Sequence, residues 1–257
     1  MKYITSAFNG LVNVTIFKSN LIISIFSRVV QVCLAILTWN AIYDGSNHRY
    51  IGGYNRPEMF KYLILTSLLS LLFTMEPVFN LSKRVKEGTI SAWIIRPISI
   101  NLESLSTFVG SKILFICIMV IYLLVVGGTN VSYIIVNVLY FALDILLWHE
   151  LMYLIGLLSF WLIQMWPLEP IINAFYLFLG GLLFPLSLLP QYFYEIVRFS
   201  PFSLVSSDLI QVVLNVKNVS LTNYIYIFSI VVWYLLLRAC SIMLFKNGIK
   251  KFEGVGI

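Results

Sequence analysis

Charge is sparse in this sequence. Lysine, arginine, aspartate and glutamate make up 11% of its 257 residues, against 60% hydrophobic residues, and the mean hydropathy is +0.92. A soluble domain needs far more polar surface than this to cover its core, so the chain is expected to be an integral membrane protein. Histidine is scarcer still. With His48 and His149 alone no Ser/His/Asp constellation can be assembled, and "HELMY" at 149–153 lacks the second histidine that a zinc-binding helix requires one turn on, position 153 being tyrosine. Cys33, Cys117 and Cys240 are odd in number, show no pairwise spacing and sit inside long apolar runs, which argues against both a disulfide framework and a metal site. No Gly-x-x-x-x-Gly-Lys-Ser/Thr loop is present, and "VGSKI" at 109–113 lacks its first glycine, so the chain is not expected to bind or hydrolyse ATP. The net charge of +6 falls in short clusters between apolar runs and not on one continuous basic face, which sets nucleic acid aside as a partner.

What remains is apolar sequence long enough to span. A helix crosses the hydrocarbon core with about 20 apolar residues, and six stretches meet or approach that length: 21–43, 60–80, 106–126, 133–160, 171–189 and 222–245. The predicted fold is therefore an all-α, six-span, single transmembrane domain. The fourth stretch is too long for one upright helix and too short for two, so it is read as one tilted or extended span. The N-terminal apolar run continues to about Tyr43 without a small-residue cleavage site, which favours an uncleaved first span over a removed signal peptide. Positive residues in short loops accumulate in the cytoplasm. With the N-terminus inside, the cytoplasmic set holds Lys2, Lys18, Lys83, Arg84, Lys86, Arg96, Lys246, Lys250 and Lys251, and the outer set only Arg49, Arg56, Arg198 and Lys217. Both termini are expected in the cytoplasm.

Ionisable groups within spans are costly and mark candidate sites. Arg28 is placed near the cytoplasmic end of the first span, from which it can snorkel. Glu76, beside Pro77, is placed to pair with the Lys83 to Lys86 cluster. Asp144, His149 and Glu150 in the fourth span suit either a proton or ion relay or a polar stripe facing a neighbouring element.

One polar interruption carries the most pattern: "SKRVKEGTISAWIIRPIS" at 82–99. Lys83, Arg84, Lys86 and Glu87 hold it in the aqueous phase. Gly88 is suited to end one helix in the left-handed conformation, Thr89 to cap the next, and Pro97 forces the residue before it out of the helical region. A two-turn helix over about 89–96 follows, with Ile90, Trp93 and Ile94 at i, i+3 and i+4 on one face. So short a helix cannot stabilise itself, so that face must dock on either the lipid interface or a groove in a cytoplasmic protein.

"KEGTISAWIIRPIS" resembles the segment between the second and third spans of ABC transporter type-2 permeases. "FLGGLLFPLSLLPQYFYEIVRFSPF" at 178–202 resembles their fifth-span region, and "FKNGIKKFEGVGI" the basic tail of one bacterial branch. The resemblance implies that Ile90, Trp93, Ile94, Arg96 and Pro97 form a coupling helix fitted to a separate ATP-binding subunit. It implies also that Gly180, Gly181, Pro185 and Pro190 lead into a re-entrant outer segment between spans five and six. An exporter's permease in the bacterial cytoplasmic membrane is then expected, paired with a second permease copy or sister, with ATP and Mg held by the partner ATPase. Two other readings stay open: an ATP-independent transporter or channel using Asp144, His149 and Glu150, and a membrane anchor or assembly factor whose basic loop binds lipid or a partner.

Overall fold

Long apolar runs without water to satisfy their backbone must bond internally, and the chain accordingly folds into helices. The structure, a computed structural model, describes residues 2–46, 49–162, 164–214 and 221–252, with the backbone alone at 221 and 222. His48, Lys217 and the end of the tail, 253–257, lie outside the described residues. Eleven helices are named in chain order: α1 Lys2–Ile16, α2 Lys18–Gly45, α3 Arg56–Leu72, α4 Glu76–Lys86, α5 Ile90–Ile94, α6 Ile100–Gly127, α7 Val131–Gly156, α8 Leu168–Leu179, α9 Gln191–Val197, α10 Pro201–Leu214 and α11 Leu221–Lys251. Among the described residues the extended structure amounts to one isolated bridge, Ile51 to Tyr54. Five elements are long and apolar enough to cross a membrane: α2, α3 with α4, α6, α7 and α11. A sixth is reached if α9 and α10, bent by 80°, count as one.

The N-terminal helix α1 is not among the six predicted stretches. It is too short to span, and it packs along α6, where Gly10 lies against the Thr107 carbonyl and Gly110 against the Ala7 backbone with no room for a Cβ at either. The Ser99 backbone N–H donates to the Tyr3 hydroxyl at 3.2 Å, fixing the start of α1 beside the start of α6. The three cysteines are free.

The second predicted span is interrupted. α3 begins at a capping box, with Asn55 accepting from the Glu58 N–H and Glu58 accepting from the Asn55 N–H. It stops at Leu72, because Pro77 in the first turn of α4 supplies no N–H to continue the ladder. The Thr74 carbonyl freed at the break is taken by the indole N–H of Trp148 at 2.9 Å. The stretch at 133–160 is a single element, α7 continued by a 3-10 turn to Phe160.

The expected fifth span over 171–189 needs correction. α8 has 12 residues, about 18 Å at the α-helical rise, and ends at Leu179. Gly181 adopts φ +69°, and the chain then runs without α-helix through Pro185 to Pro190. Such backbone survives among apolar helices only where protein covers it. Here the Tyr62 hydroxyl donates to the Gly181 carbonyl at 2.6 Å and the Ser206 hydroxyl to that of Gly180. From there Ser187 meets Gly52, which lies between α2 and α3. The α9 to α10 turn reaches inward to Tyr140, whose hydroxyl donates to the Leu204 carbonyl, and the chain returns to the start of α7, where the Tyr133 hydroxyl donates to the Val213 carbonyl. The segment 187–214 thus leaves and re-enters the same end of the bundle. Gly181→Ala is expected to cost about 2 kcal/mol or more, from left-handed strain plus a Cβ 2.8 Å from the Tyr62 hydroxyl. Gly53→Ala, also at positive φ but with open space around it, should cost less; unfolding of both variants in detergent checks the difference.

Both ends of the described chain lie at the opposite end, beside the 87–99 loop. Tyr3 meets Ser99 there, and Phe252 packs on Phe160 at 6.1 Å between ring centroids.

Candidate functional site

Gly88, at φ +71°, ends α4 as its sequence position suggests, its N–H donating to the Val85 carbonyl at 3.2 Å. Beyond it the local chemistry differs from expectation. Thr89 does not cap α5: its hydroxyl donates back to the Arg84 carbonyl at 3.3 Å, and the first turn closes through the Ser91 and Ala92 N–H groups on the Gly88 and Thr89 carbonyls. The helix has five residues, Ile90–Ile94, shorter than the predicted 89–96. Ser99 then caps α6, accepting weakly from the Leu102 N–H at 3.5 Å.

The apolar face of α5 divides between inside and outside. Ile90 is fully buried in a satellite core with Leu81, Val85, Ile100, Tyr153, Leu157 and Phe160. This corrects the expectation that Ile90 is offered to a partner: the groove it fills belongs to this chain. Trp93 is half-buried, with the Arg84 and Arg96 guanidiniums 4.2 and 4.4 Å from its ring centroid. Arg96 thus stacks on the same ring as Arg84. Ile94 is 40% and Ile95 84% exposed, and Arg96 and Pro97 are exposed beside them. The free edge of the segment is therefore 94–97, and Ile95, absent from the sequence-based candidates, is its most protruding apolar residue.

Arg84 anchors that edge to the bundle. Its Nη1 and Nη2 donate to Glu103 Oε2 and Oε1 at 2.5 and 3.2 Å, a two-pronged pair joining the end of α4 to the first turn of α6. Glu103 is buried and also accepts from the Thr107 hydroxyl at 3.1 Å. Lys83, Lys86 and Glu87 are exposed, with a loose Lys83–Glu87 contact at 4.0 Å that contributes little. Behind α5 a notch of about 240 Å³ opens between Trp93, Ile94, Tyr153, Arg238 and Phe245.

The three ionisable residues of α7 are buried but do not gather into one cluster. His149 shares a hydrogen bond with the Ser104 hydroxyl at 3.1 Å. Glu150 accepts from the Asn101 amide at 3.0 Å, and Arg238 of α11 stands 3.5 Å from its other oxygen, an ion pair not aligned as a hydrogen bond. Among the described residues neither oxygen of Asp144 has a hydrogen-bond partner. Asp208 in α10 is also buried, its Oδ2 accepting from the Ser203 hydroxyl at 2.8 Å. Among the described residues no group of three or more His, Cys, Asp or Glu could hold a metal ion. Glu76 pairs with Lys112 at 3.4 Å and accepts from the Ser111 hydroxyl, and not with the Lys83 to Lys86 cluster, because it starts α4 whereas the cluster ends it.

Between α2 and α3, burial pushes the Tyr54 phenol up from its usual range, with the Tyr194 and Asp208 groups reinforcing the shift. It therefore stays protonated at neutral pH.

A family model described as ABC-2 family transporter protein matches residues 29–256. No curated protein and no solved structure matches the chain.

Proposed function

The chain belongs to the ABC-2 transporter family, and from that premise we propose that it is the permease of an exporter whose 94–97 edge receives the motion of a separate ATP-binding subunit. The membership makes it a multi-pass membrane subunit that associates with an ABC ATPase and is not itself that ATPase. On the proposed reading, two permeases, identical or sister copies, enclose the pathway in a bacterial cytoplasmic membrane. ATP and Mg sit on the partner subunits, and both termini face the cytoplasm with the 82–99 loop. Re-entry of 187–214 from the outer side, led by Gly180, Gly181, Pro185 and Pro190, closes the far end.

The observation that carries this reading is the exposed 94–97 edge held by Arg84 to both α4 and α6. A push on Ile95 or Pro97 reaches α4 through Trp93 and Arg84, and α6 through Glu103. Closure of the ATPase pair then biases a two-state rearrangement of the spans. Ile90 belongs to the mounting of the helix and not to its contact surface.

Co-expression of the chain with its cognate ATPase subunit, followed by affinity purification through the permease, tests the proposal. The wild-type chain should retain the ATPase. Ile95→Asp, at an 84% exposed position, should fold normally yet lose about 30-fold or more in ATPase retention, the effect of removing an interface anchor. Equal retention by the variant would overturn the assignment of the contact edge.

A further inference from the structure

Arg28 stands in the third turn of α2 with no Asp or Glu within ion-pairing distance among the described residues. Its Nη1 donates to the Gln31 side chain at 2.9 Å, and Arg28 and Gln31 together line a cavity. That cavity has two lobes, of about 750 and 560 Å³, which share Arg28, Gln31, Ser70, Thr74, Glu76 and Lys112. Each lobe falls within the size range of small-molecule sites.

The position of the cavity is set by the break between α3 and α4. Glu76 lies ten residues before Lys86, and Lys112 twelve after Ile100, so the Glu76–Lys112 pair stands about 15–18 Å above the loop end of the bundle. With the hydrocarbon boundary at residues 80 and 106, the ends of the predicted spans, the pair lies about 6–9 Å inside a core about 30 Å thick. Polar groups at such depth are costly unless they serve a pathway or a ligand. Here they are numerous: among the described residues the Thr74 hydroxyl on the break has no hydrogen-bond partner, and Ser24, Ser27 and Asn80 line the larger lobe. Lys112 and Glu76 neutralise each other, which leaves Arg28 as the charge of the larger lobe without an ion-pair partner among the described residues. Glu169 lines the smaller lobe at the exposed start of α8. Phe17, Leu21 and Phe115 supply an apolar wall, continuous with the exposed apolar surface of α2 at Ile22, Ile23 and Phe26.

We propose that this cavity is a binding site for an amphiphile with an anionic head group, the head held by Arg28 and the tail lying along Phe17, Leu21 and Phe115. The identification of that ligand as cargo rests on the permease reading; the binding itself does not. A phosphate or carboxylate accepts two N–H groups from a guanidinium, and such charge-assisted bonds strengthen away from water. The head group can come from a two-chain membrane lipid or from a soluble single-chain amphiphile.

The test uses the purified full chain in phosphatidylcholine nanodiscs, with empty nanodiscs as blank, titrated with dodecyl phosphate and with dodecyltrimethylammonium. Wild type should bind dodecyl phosphate saturably and about tenfold or more tightly than the cationic analogue. Arg28→Gln should lose about that factor for dodecyl phosphate alone, while Arg28→Lys keeps most of it. Ser27→Trp, which fills the larger lobe from an exposed position, should weaken both ligands. Unchanged dodecyl phosphate affinity in Arg28→Gln, or no preference for the anion in wild type, overturns the proposal. Native mass spectrometry from nanodiscs containing phosphatidylglycerol separates the two sources. An Arg28-dependent lipid adduct assigns a membrane lipid, and its absence beside retained dodecyl phosphate binding assigns a soluble amphiphile; both sustain the site. Because no ATPase subunit is present, failure here is distinct from failure of the coupling assignment.

Discussion

Replacing Arg84 with alanine is expected to destabilise the protein by about 3 kcal/mol, because it leaves the Glu103 carboxylate buried without its counter-charge. The Glu103 side chain is 4% exposed and that of Arg84 21%, so water can replace little of the lost guanidinium. The Thr107 hydroxyl remains as one donor, which keeps the cost below that of a fully orphaned charge. The same substitution removes one of the two cations over Trp93 and frees α5 from α4. Unfolding of the purified chain in mixed micelles measures the loss. Adding Glu103→Met to Arg84→Ala should restore part of it, since replacing both partners by apolar groups avoids the unpaired charge. Equal stability of the two variants would show that the pair contributes by packing alone.

A cost of similar size is expected from Ile90→Ala, about 2–4 kcal/mol for a fully buried side chain whose cavity cannot collapse against Tyr153 and Phe160. Ile95→Ala, five residues on and 84% exposed, should stay within about 0.5 kcal/mol of wild type. The contrast separates mounting from contact along one short segment, and the same micelle unfolding measurement reads it. If Ile90→Ala is as mild as Ile95→Ala, the satellite core does not support α5 and the route from the loop to the spans fails.

Several features of this architecture are legible in the sequence, and the exceptions share a cause. Gly88 and Pro97 delimit the short helix because each acts locally on its own backbone. The periodicity of Ile90, Trp93 and Ile94 tells which residues share a face but not what covers it. In the structure the covering surface comes from Tyr153, Leu157 and Phe160, far along the chain. The fifth stretch illustrates a second limit. Hydropathy over 171–189 is that of a span, while the geometry is decided by Gly181, and the hydroxyls that satisfy the exposed carbonyls come from α3 and α10. Charges illustrate a third. Arg84 finds Glu103, Lys112 finds Glu76 and Arg238 finds Glu150 across helix interfaces that no spacing rule announces. Arg28, read from the sequence as a snorkelling residue, also lines a cavity formed by elements on both sides of the α3 to α4 break, which no spacing rule shows. The α1 helix was hidden because it is shorter than a span and owes its place to glycines at its crossing with α6.

The central claim is that the 94–97 edge, and not the buried side of α5, touches the ATP-binding subunit. A photo-crosslinking amino acid placed at position 95 of the co-expressed complex tests it most directly, with position 90 as the internal control. Efficient crosslinks to the ATPase from position 95, and crosslinks only within this chain from position 90, are the expected result. Absence of ATPase crosslinks from position 95 in an intact complex, or comparable yields from both positions, would contradict it.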